Sequence, residues 1–340
     1  MNIVANRYQL GQLIGKGSFG SVYLAGDIVT RKIVAVKIIN KKLVNDTKAI
    51  MNEILILHKC QHENIIKLEN YHEDADFVYI IQELAVGGQL FKHIVKRQHY
   101  SEFHAKVIIR QLLSALKYLH TLSPPIVHMD IKPENILLKQ IPDDYDQNEL
   151  FKPLVKLTDF GLSQFYQRGA LKYGLGGTPG YIAPEVKTRG ILTPSADIYS
   201  LGVVTYVLIA GRLPFDGVSI DEIYQKQIKN QWSFCDIFEN ISSQARDFIE
   251  SCITLDFERR PTAEQLLNSD WLGIEGISSM NLQISRKALQ KYLVEQKLRT
   301  GMQFIVFTQM VEASSYQIDD PNKSIIERIE TSRRGKRKAQ

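Results

Sequence analysis

The chain has 340 residues, of which 44% are hydrophobic and 23% charged, an ordinary composition for a soluble globular protein. The longest strongly apolar stretch, residues 198–211, holds fourteen uncharged residues and is too short to cross a bilayer as a helix. The first twenty residues contain no uninterrupted apolar core, so no secretory signal is expected. Three widely spaced cysteines favour a reducing compartment and argue against a disulfide framework or a zinc site.

The net charge of +5 is concentrated at one end, because five of the last eight residues are Lys or Arg. Such an end can contact nucleic acid, anionic lipid or an import receptor, or it can simply be solvated and disordered. We expect a cytoplasmic protein without a membrane partner, and the basic end leaves the nucleus open. A nucleic-acid partner is not expected, since this one short cluster is all that points to it.

The first 80 residues predict mostly strands. Residues 8–14 and 21–25 flank a glycine-rich turn, and residues 33–39 are β-branched and alternate in polarity. Residues 49–59 interrupt this pattern, because Ile50, Ile54 and Leu57 recur at helical spacing.

From about residue 90 the pattern becomes helical. Residues 105–120 carry one apolar face, and residues 196–210 predict a buried helix. Residues 139–153 are rich in Asp and Pro and predict a polar insertion between two short strands. No period of 20–50 residues repeats, so a solenoid is not expected.

The glycine-rich turn has the pattern Gly-x-Gly-x-x-Gly-x-Val. Glycines let the backbone approach phosphate oxygens and present N–H groups to them. A dinucleotide-binding fold places such glycines between a strand and a helix, whereas here they lie between two strands. The pattern therefore favours a β-hairpin lid over a nucleotide, formed by Ile14, Gly15, Lys16, Gly17, Ser18, Phe19, Gly20 and Val22.

Lys37 belongs to a predicted strand on which Ala35 shares its face. The small Ala35 can admit a flat adenine while Lys37 reaches the phosphates. Glu53 lies on the side of the next helix that should be buried. A buried carboxylate without a partner costs several kcal/mol, so we predict an ion pair between Lys37 and Glu53.

Two loops carry the residue types that phosphoryl transfer requires. Asp130, Asn135 and Asp159 supply the carboxylate and amide oxygens that Mg²⁺ prefers. We predict that Asp130 accepts the proton of a substrate hydroxyl and that Lys132 neutralises charge on the transferred group. Asn135 and Asp159 are predicted to hold Mg²⁺ against the phosphates of ATP. Each residue alone could be a turn or capping residue, but the order and spacing together favour catalysis.

These motifs closely resemble the eukaryotic protein kinase family. The resemblance covers about residues 8–272 and includes Asp159-Phe160-Gly161 and Ala183-Pro184-Glu185. It implies an α+β, bilobal fold. The small β-rich N-lobe would span about residues 8–84 and the larger, mostly helical C-lobe about residues 85–272.

The same resemblance assigns several further roles. It implies that Asp197 braces the catalytic loop and that Arg260 pairs with Glu185 in the large lobe. It also implies that adenine binds at the hinge segment Glu83-Leu84-Ala85 and that Gln82, the residue before it, lies at the back of the adenine pocket.

The resemblance also indicates which type of substrate hydroxyl would be phosphorylated. Lys132-Pro133-Glu134 and residues 177–181 resemble serine/threonine kinases, which act on protein substrates. Residues 85–91 resemble the calcium/calmodulin-dependent group. Gln89 replaces a glutamate usual there, which puts a preference for basic substrates in doubt, although Glu134 could supply part of it.

Met129 stands where most such kinases carry an arginine that meets a phosphate on the activation segment. Methionine cannot make this contact. Residues 159–185 also offer few hydroxyls, chiefly Ser163 and Thr178. We expect activity that does not depend on phosphorylation of this segment.

Residues 278–310 combine apolar and basic residues in the manner of an amphipathic helix. Such a helix can pack permanently on its own protein, block a groove, or be captured by calmodulin. Residues 281–310 resemble the junction of calcium-dependent protein kinases, which blocks the active site until calcium-loaded EF-hands remove it. No EF-hand loop occurs in this sequence.

Three explanations for this arrangement remain open: calmodulin or another EF-hand protein acts as a separate sensor, the helix is only structural, or calcium control is lost. We expect residues 273–310 to be a junction or autoinhibitory-like segment and residues 311–340 a disordered basic tail.

The main rival hypothesis is a pseudokinase, a binding module that keeps the fold without transfer. It would require the loss of Lys37, Asp130, Asn135 or Asp159, and all four are present. A nucleic-acid-binding protein acting through its basic end would explain none of the upstream motifs.

Overall fold

The computed structural model describes residues 3–16, 20–44, 47–90, 92, 101–140, 154–169 and 176–273. The tip of the glycine-rich turn, Gly17-Ser18-Phe19, lies outside these ranges, as do most of the predicted insertion and the whole chain after Gly273. The predictions of a junction segment and of a disordered tail therefore concern residues outside the described ones.

The chain begins with an antiparallel sheet whose strands follow the order β1-β2-β3-β4-β6-β5. These strands are β1 Ile3–Val4, β2 Tyr8–Lys16, β3 Gly20–Asp27, β4 Ile33–Asn40, β5 Leu68–Glu73 and β6 Phe77–Glu83. The predicted strands at 8–14, 21–25 and 33–39 are confirmed, each extended by one to three residues. The glycine-rich turn thus joins two antiparallel strands, as its position in the sequence indicated.

Helix α1, Thr47–Lys59, lies between β4 and β5 in the chain. Its Ile50, Ile54 and Leu57 are at most 5% exposed, as their helical spacing predicts. Glu53 lies on the same face and is 3% exposed. The helix therefore carries a carboxylate into the core, where it requires a partner.

The rest of the described chain, residues 101–273, is mostly helical and is called the helical region. Its helices are α2 Glu102–Thr121, α3 Pro184–Arg189, α4 Ser195–Ala210, α5 Ile220–Ile228, α6 Ser243–Ile253, α7 Ala263–Leu267 and α8 Asp270–Gly273. Helix α4 is buried along its whole length after its first residue, as its uniform apolarity predicts. It ends at Gly211, whose φ of 68° suits a glycine.

Short strands bring two loops of the chain together. They are β7 Gly88–Gln89, β8 Ile126–Val127, β9 Ile136–Leu138, β10 Val155–Leu157 and β11 Gln164–Phe165. Because β8 pairs with β11 and β9 with β10, the loop after β8 and the turn after β10 lie side by side. The short strands predicted on both sides of the polar insertion are thereby confirmed.

One apolar cluster extends from α1 through α2 and α4 to α8, so α1 and the helical region share a core. A smaller cluster packs on the opposite face of β4 and contains Tyr8, Ala25, Val34, Val36, Tyr79 and Ile81. The predicted α+β class is confirmed, with the sheet first and the helices after it. Within the described ranges, no helix combines the length and the apolar character needed to span a membrane.

Candidate active site

Asp197, in the first turn of α4, holds the loop between β8 and β9. Its carboxylate accepts hydrogen bonds from the backbone N–H groups of His128 at 2.8 Å and Met129 at 2.9 Å. Met129 has a φ of 72°, which is uncommon for a side chain of this size. The buried carboxylate stabilises this strained turn and thereby positions Asp130. The predicted contact between Asp197 and the catalytic loop is therefore present.

Asp130 lies in a dense polar cluster. Its Oδ1 accepts a hydrogen bond from Thr178 Oγ1 at 2.7 Å, and its Oδ2 accepts one from Asn135 Nδ2 at 2.9 Å. Lys132 Nζ lies 2.7 Å from Asp130 Oδ2 and donates to Thr178 Oγ1 at 2.9 Å. Burial disfavours the charge of Lys132, but nearby carboxylates, Asp130 first, outweigh it and raise the pKa of this lysine. Lys132 is therefore a stable cation beside Asp130.

Lys37 contacts two carboxylates. Its Nζ lies 2.7 and 3.0 Å from the oxygens of Glu53 and 3.2 Å from Asp159 Oδ1. The predicted ion pair between Lys37 and Glu53 is confirmed. Burial opposes the charge of Lys37, yet Glu53 and Asp159 together raise its pKa.

The two carboxylates have different surroundings. Lys37 holds the pKa of Asp159 below its usual range, whereas burial raises the pKa of Glu53 in spite of the same lysine. The side chain of Asp159 is 47% exposed and that of Glu53 only 4%. One cation thus faces two acids, and the excess negative charge lies on the exposed one.

Asn135 and Asp159 come from adjacent strand ends. Both amide hydrogens of Asn135 go to Asp130, at 2.8 Å to its carbonyl and 2.9 Å to its carboxylate, which leaves the amide oxygen for a ligand. Thr158 N, one residue before Asp159, donates to the Asn135 carbonyl at 3.0 Å. In the described ranges no three His, Cys, Asp or Glu side chains form a metal site by themselves.

The predicted nucleotide-binding residues follow the sheet strands. Ala35 and Lys37 share one face of β4, and Val22 lies directly opposite Lys37 on β3. A Cβ atom on Gly20 would lie 2.1 Å from the Ile38 carbonyl oxygen, so this position requires glycine. The other described residues of this set are Ile14, Gly15 and Lys16 on β2, Glu83 on β6, and Ala85 after β6.

The side chain of Glu83 takes part in a cluster that the sequence did not predict. Its Oε1 lies 2.7 Å from Lys156 Nζ and accepts a hydrogen bond from Lys67 N at 2.9 Å, while its Oε2 binds Lys139. Burial opposes its charge, but these lysines lower the pKa of Glu83. The carboxylate thus joins the sheet to β9 and β10, while the backbone N–H of Glu83 donates to the Lys67 carbonyl at 2.9 Å.

Other contacts of the site were missed because their residue types are common in any loop. The hydroxyl of Thr178 reaches Asp130, although sequence reasoning used Thr178 only as part of a motif. His120 Nε2 lies 2.9 Å from the Asp197 carboxylate, a contact that no motif signals.

The site contains a hairpin bordered by glycines, a lysine that contacts two carboxylates, and a carboxylate that accepts a hydrogen bond from a hydroxyl. The family model for the protein kinase domain matches residues 8–272. The chain belongs to the protein kinase family. In this kinase Asp130 and Asp159 lie on two adjoining loops, after β8 and after β10.

The kinase is similar to several other protein kinases. It is 37% identical over 293 residues to a probable myosin light chain kinase of Dictyostelium discoideum, covering 84% of this chain and 90% of the relative. It is 35% identical over 303 residues to calcium/calmodulin-dependent protein kinase type 1 of Macrobrachium nipponense, covering 88% and 85% respectively.

A third relative, myosin light chain kinase A of Dictyostelium discoideum, is 35% identical over 306 residues, which are 89% of this chain and 99% of the relative. The family match and these relatives identify a protein serine/threonine kinase whose relatives are of the calcium/calmodulin-dependent group.

Proposed function

We propose that the kinase transfers the γ-phosphate of ATP to serine or threonine hydroxyls of proteins, with Asp130 as the catalytic base. The contact between Thr178 Oγ1 and Asp130 Oδ1, 2.7 Å long, carries this proposal. It places an aliphatic hydroxyl as a donor on the carboxylate, which is the contact that a substrate hydroxyl would make.

Lys132 and Asn135 support the base. Lys132 is a cation 2.7 Å from Asp130, so it can neutralise charge on the transferred group. Asn135 holds Asp130 by both its carboxylate and its carbonyl. These contacts limit the rotation of Asp130 and keep one acceptor oxygen directed at the substrate position.

Asp159, Asn135 and Lys37 would handle the phosphates. Protein kinases use ATP and Mg²⁺, and Asp159 with the amide oxygen of Asn135 is a donor set that suits this cation. Bound there, Mg²⁺ would neutralise charge on the β- and γ-phosphates. Lys37, held by Glu53 at 2.7 Å, would bind phosphate oxygens from the sheet side. The hairpin of β2 and β3 would cover them, and the backbone at Glu83 and Ala85 would bind adenine.

The kinase domain is proposed to span residues 8–272, with its lobes divided after Leu84. We further propose that activity is independent of activation-segment phosphate. Met129 offers no cation for a phosphate. The hydroxyls of Ser163 and Thr178 are both buried, and they donate to the His128 carbonyl and to Asp130 respectively. Phosphatase-treated protein should therefore keep its activity.

Regulation is proposed to reside in the basic segment 278–310, of which residues 281–310 resemble the junction of calcium-dependent protein kinases. One relative is a calcium/calmodulin-dependent kinase by name, which supports calmodulin or another EF-hand protein as a partner for residues 281–310. Activity of the full chain would be compared with that of residues 1–275, with and without calcium–calmodulin. Identical activity under all conditions would contradict this proposal.

The central proposal is tested by ATP-dependent labelling of serine- and threonine-containing peptides. Asp159→Asn removes the exposed charge of the site and should abolish detectable transfer. Asp236→Asn, at an exposed acid of the helical region, is the matched control and should keep wild-type activity. A wild-type protein that binds ATP but transfers no phosphate would instead indicate a binding module.

A further inference from the structure

Ser163 is fully buried, and its polar groups bind three separate segments. Its N–H donates to the Phe160 carbonyl at 3.1 Å, within the turn that begins at Asp159. Its hydroxyl donates to the His128 carbonyl at 3.0 Å, in the loop that carries Asp130. Its own carbonyl accepts a hydrogen bond from Asn52 Nδ2 at 2.7 Å. Partners are expected for buried polar groups, but here each partner belongs to a different part of the site.

Asn52 precedes Glu53 on α1, so the two side chains move with the same helix. The bond from Asn52 to Ser163 therefore ties α1 to the segment that follows Asp159. Lys37 binds one carboxylate from each of these elements, at 2.7 Å to Glu53 and 3.2 Å to Asp159. A displacement of α1 that separates Lys37 from Glu53 would also stretch the bond from Asn52.

On its other side, Ser163 is bonded to a loop that is itself fixed. Asp197 on α4 accepts a hydrogen bond from His128 N at 2.8 Å. The ring of His128 packs edge-on against Phe160, with 4.7 Å between the ring centroids. A continuous series of contacts thus runs from α1 through Ser163 and the loop to the centre of the helical region.

We infer that Asn52 and Ser163 are positioning residues that hold α1 and the Asp159 turn in the arrangement needed for phosphate transfer. These hydrogen bonds form within the chain itself. They do not need an activation-segment phosphate, for which Met129 offers no cation. The active arrangement is then built into the fold and needs no modification. This inference rests on the proposed function and deepens its regulation.

The test measures kcat and the KM for ATP with phosphatase-treated, full-length protein. The variants are Asn52→Leu and Ser163→Ala, with Asn70→Leu as the matched control. Asn70 is also half-buried in the sheet, and its amide donates to the Tyr8 hydroxyl at 3.2 Å, away from the site. Thermal unfolding of each variant is recorded beside the kinetics.

The kcat of Asn52→Leu should fall about tenfold, because one buried hydrogen bond is lost and its acceptor is left unpaired. Its KM for ATP should stay near the wild-type value, since the adenine contacts are untouched. Asn70→Leu should lower the melting temperature about as much as Asn52→Leu does, and it should keep the wild-type kcat. Ser163→Ala should lower kcat too, and the double variant should lose less than the product of the single losses.

If Asn52→Leu and Asn70→Leu have the same kcat, the two residues are merely structural and the inference is wrong, while the proposed function stands. If the fold-loss in kcat of the double variant equals the product of the two single fold-losses, the two residues act independently, which would contradict a shared positioning role. A wild-type protein without any transfer activity would overturn the proposed function and the inference together.

Discussion

Two ion pairs in this kinase have opposite surroundings, because one is fully buried and the other is partly exposed to solvent. Both side chains of the pair between Glu185 and Arg260 are fully enclosed, and their atoms meet at 2.6 and 2.9 Å. Arg260 also donates to the backbone carbonyls of Thr254 at 2.7 Å and Ser195 at 3.2 Å. This pair is electrically neutral and its donors are used within the protein.

The pair between Lys37 and Glu53 is open instead. Lys37 is 22% exposed and is shared with Asp159, which is 47% exposed, so two acids face one cation that solvent can reach. The closed pair has no exposed charge to offer a ligand, whereas the open cluster can still bind charged ligands. The difference indicates that removing a charge from the first costs stability and removing one from the second costs activity.

The largest effect is expected at the closed pair. Arg260→Met leaves Glu185 buried without a cation, which should lower the free energy of unfolding by about 3–5 kcal/mol. Urea denaturation measures this loss. The double variant with Glu185→Leu should recover much of it, because neither charge remains to be buried. An Arg260→Met protein as stable as the wild type would show that the pair is not closed.

At the open cluster, Lys37→Met should lower kcat/KM about hundredfold, because a positioned cation no longer meets the phosphates. Its loss of stability should be smaller than that of Arg260→Met, since the side chain of Asp159 is 47% exposed and stays in contact with solvent. Lys67→Met is the control, because Lys67 is 63% exposed and, among the described residues, its side chain pairs with Glu69 at 3.1 Å. Equal activity of the two lysine variants would break the comparison.

The smallest effect is expected at an ion pair on the rim of the sheet, between Arg7 and Asp27, where Arg7 is 36% exposed. The hydrogen bond from Arg7 is the main cause that lowers the pKa of Asp27. A lowered folded-state pKa contributes stability above the unfolded value of about 3.9, and this contribution is lost as the pH falls through the folded value.

Arg7→Met should therefore reduce the loss of stability that the wild type shows on acidification below about pH 4. Thermal unfolding at a series of pH values measures this slope. An unchanged slope in the variant would mean that Thr30 and the backbone N–H groups, which also bind Asp27, hold its pKa alone.

Local patterns in the sequence predicted the elements that carry the site. Alternating β-branched residues mark β4, and Ile50, Ile54 and Leu57 mark the buried face of α1, because each pattern reports the period of its backbone. The ion pair of Lys37 with Glu53 was predictable for a related reason. A carboxylate on a buried face has few ways to avoid its desolvation cost, so a nearby lysine is the expected partner.

The sequence by itself thus determined the family and predicted the first strands, three of the helices and the residue types proposed to react, because spacing and motif are local properties of the chain. Only the tertiary structure decided that Thr178 meets Asp130 across 48 residues and that Asn52 meets Ser163 across 111. Ser, Thr and Asn occur in any loop, so their types carry no such signal. Their hydrogen bonds depend on direction and on distances near 3 Å, which arise only when α1, the β8–β9 loop and the β10–β11 turn pack together.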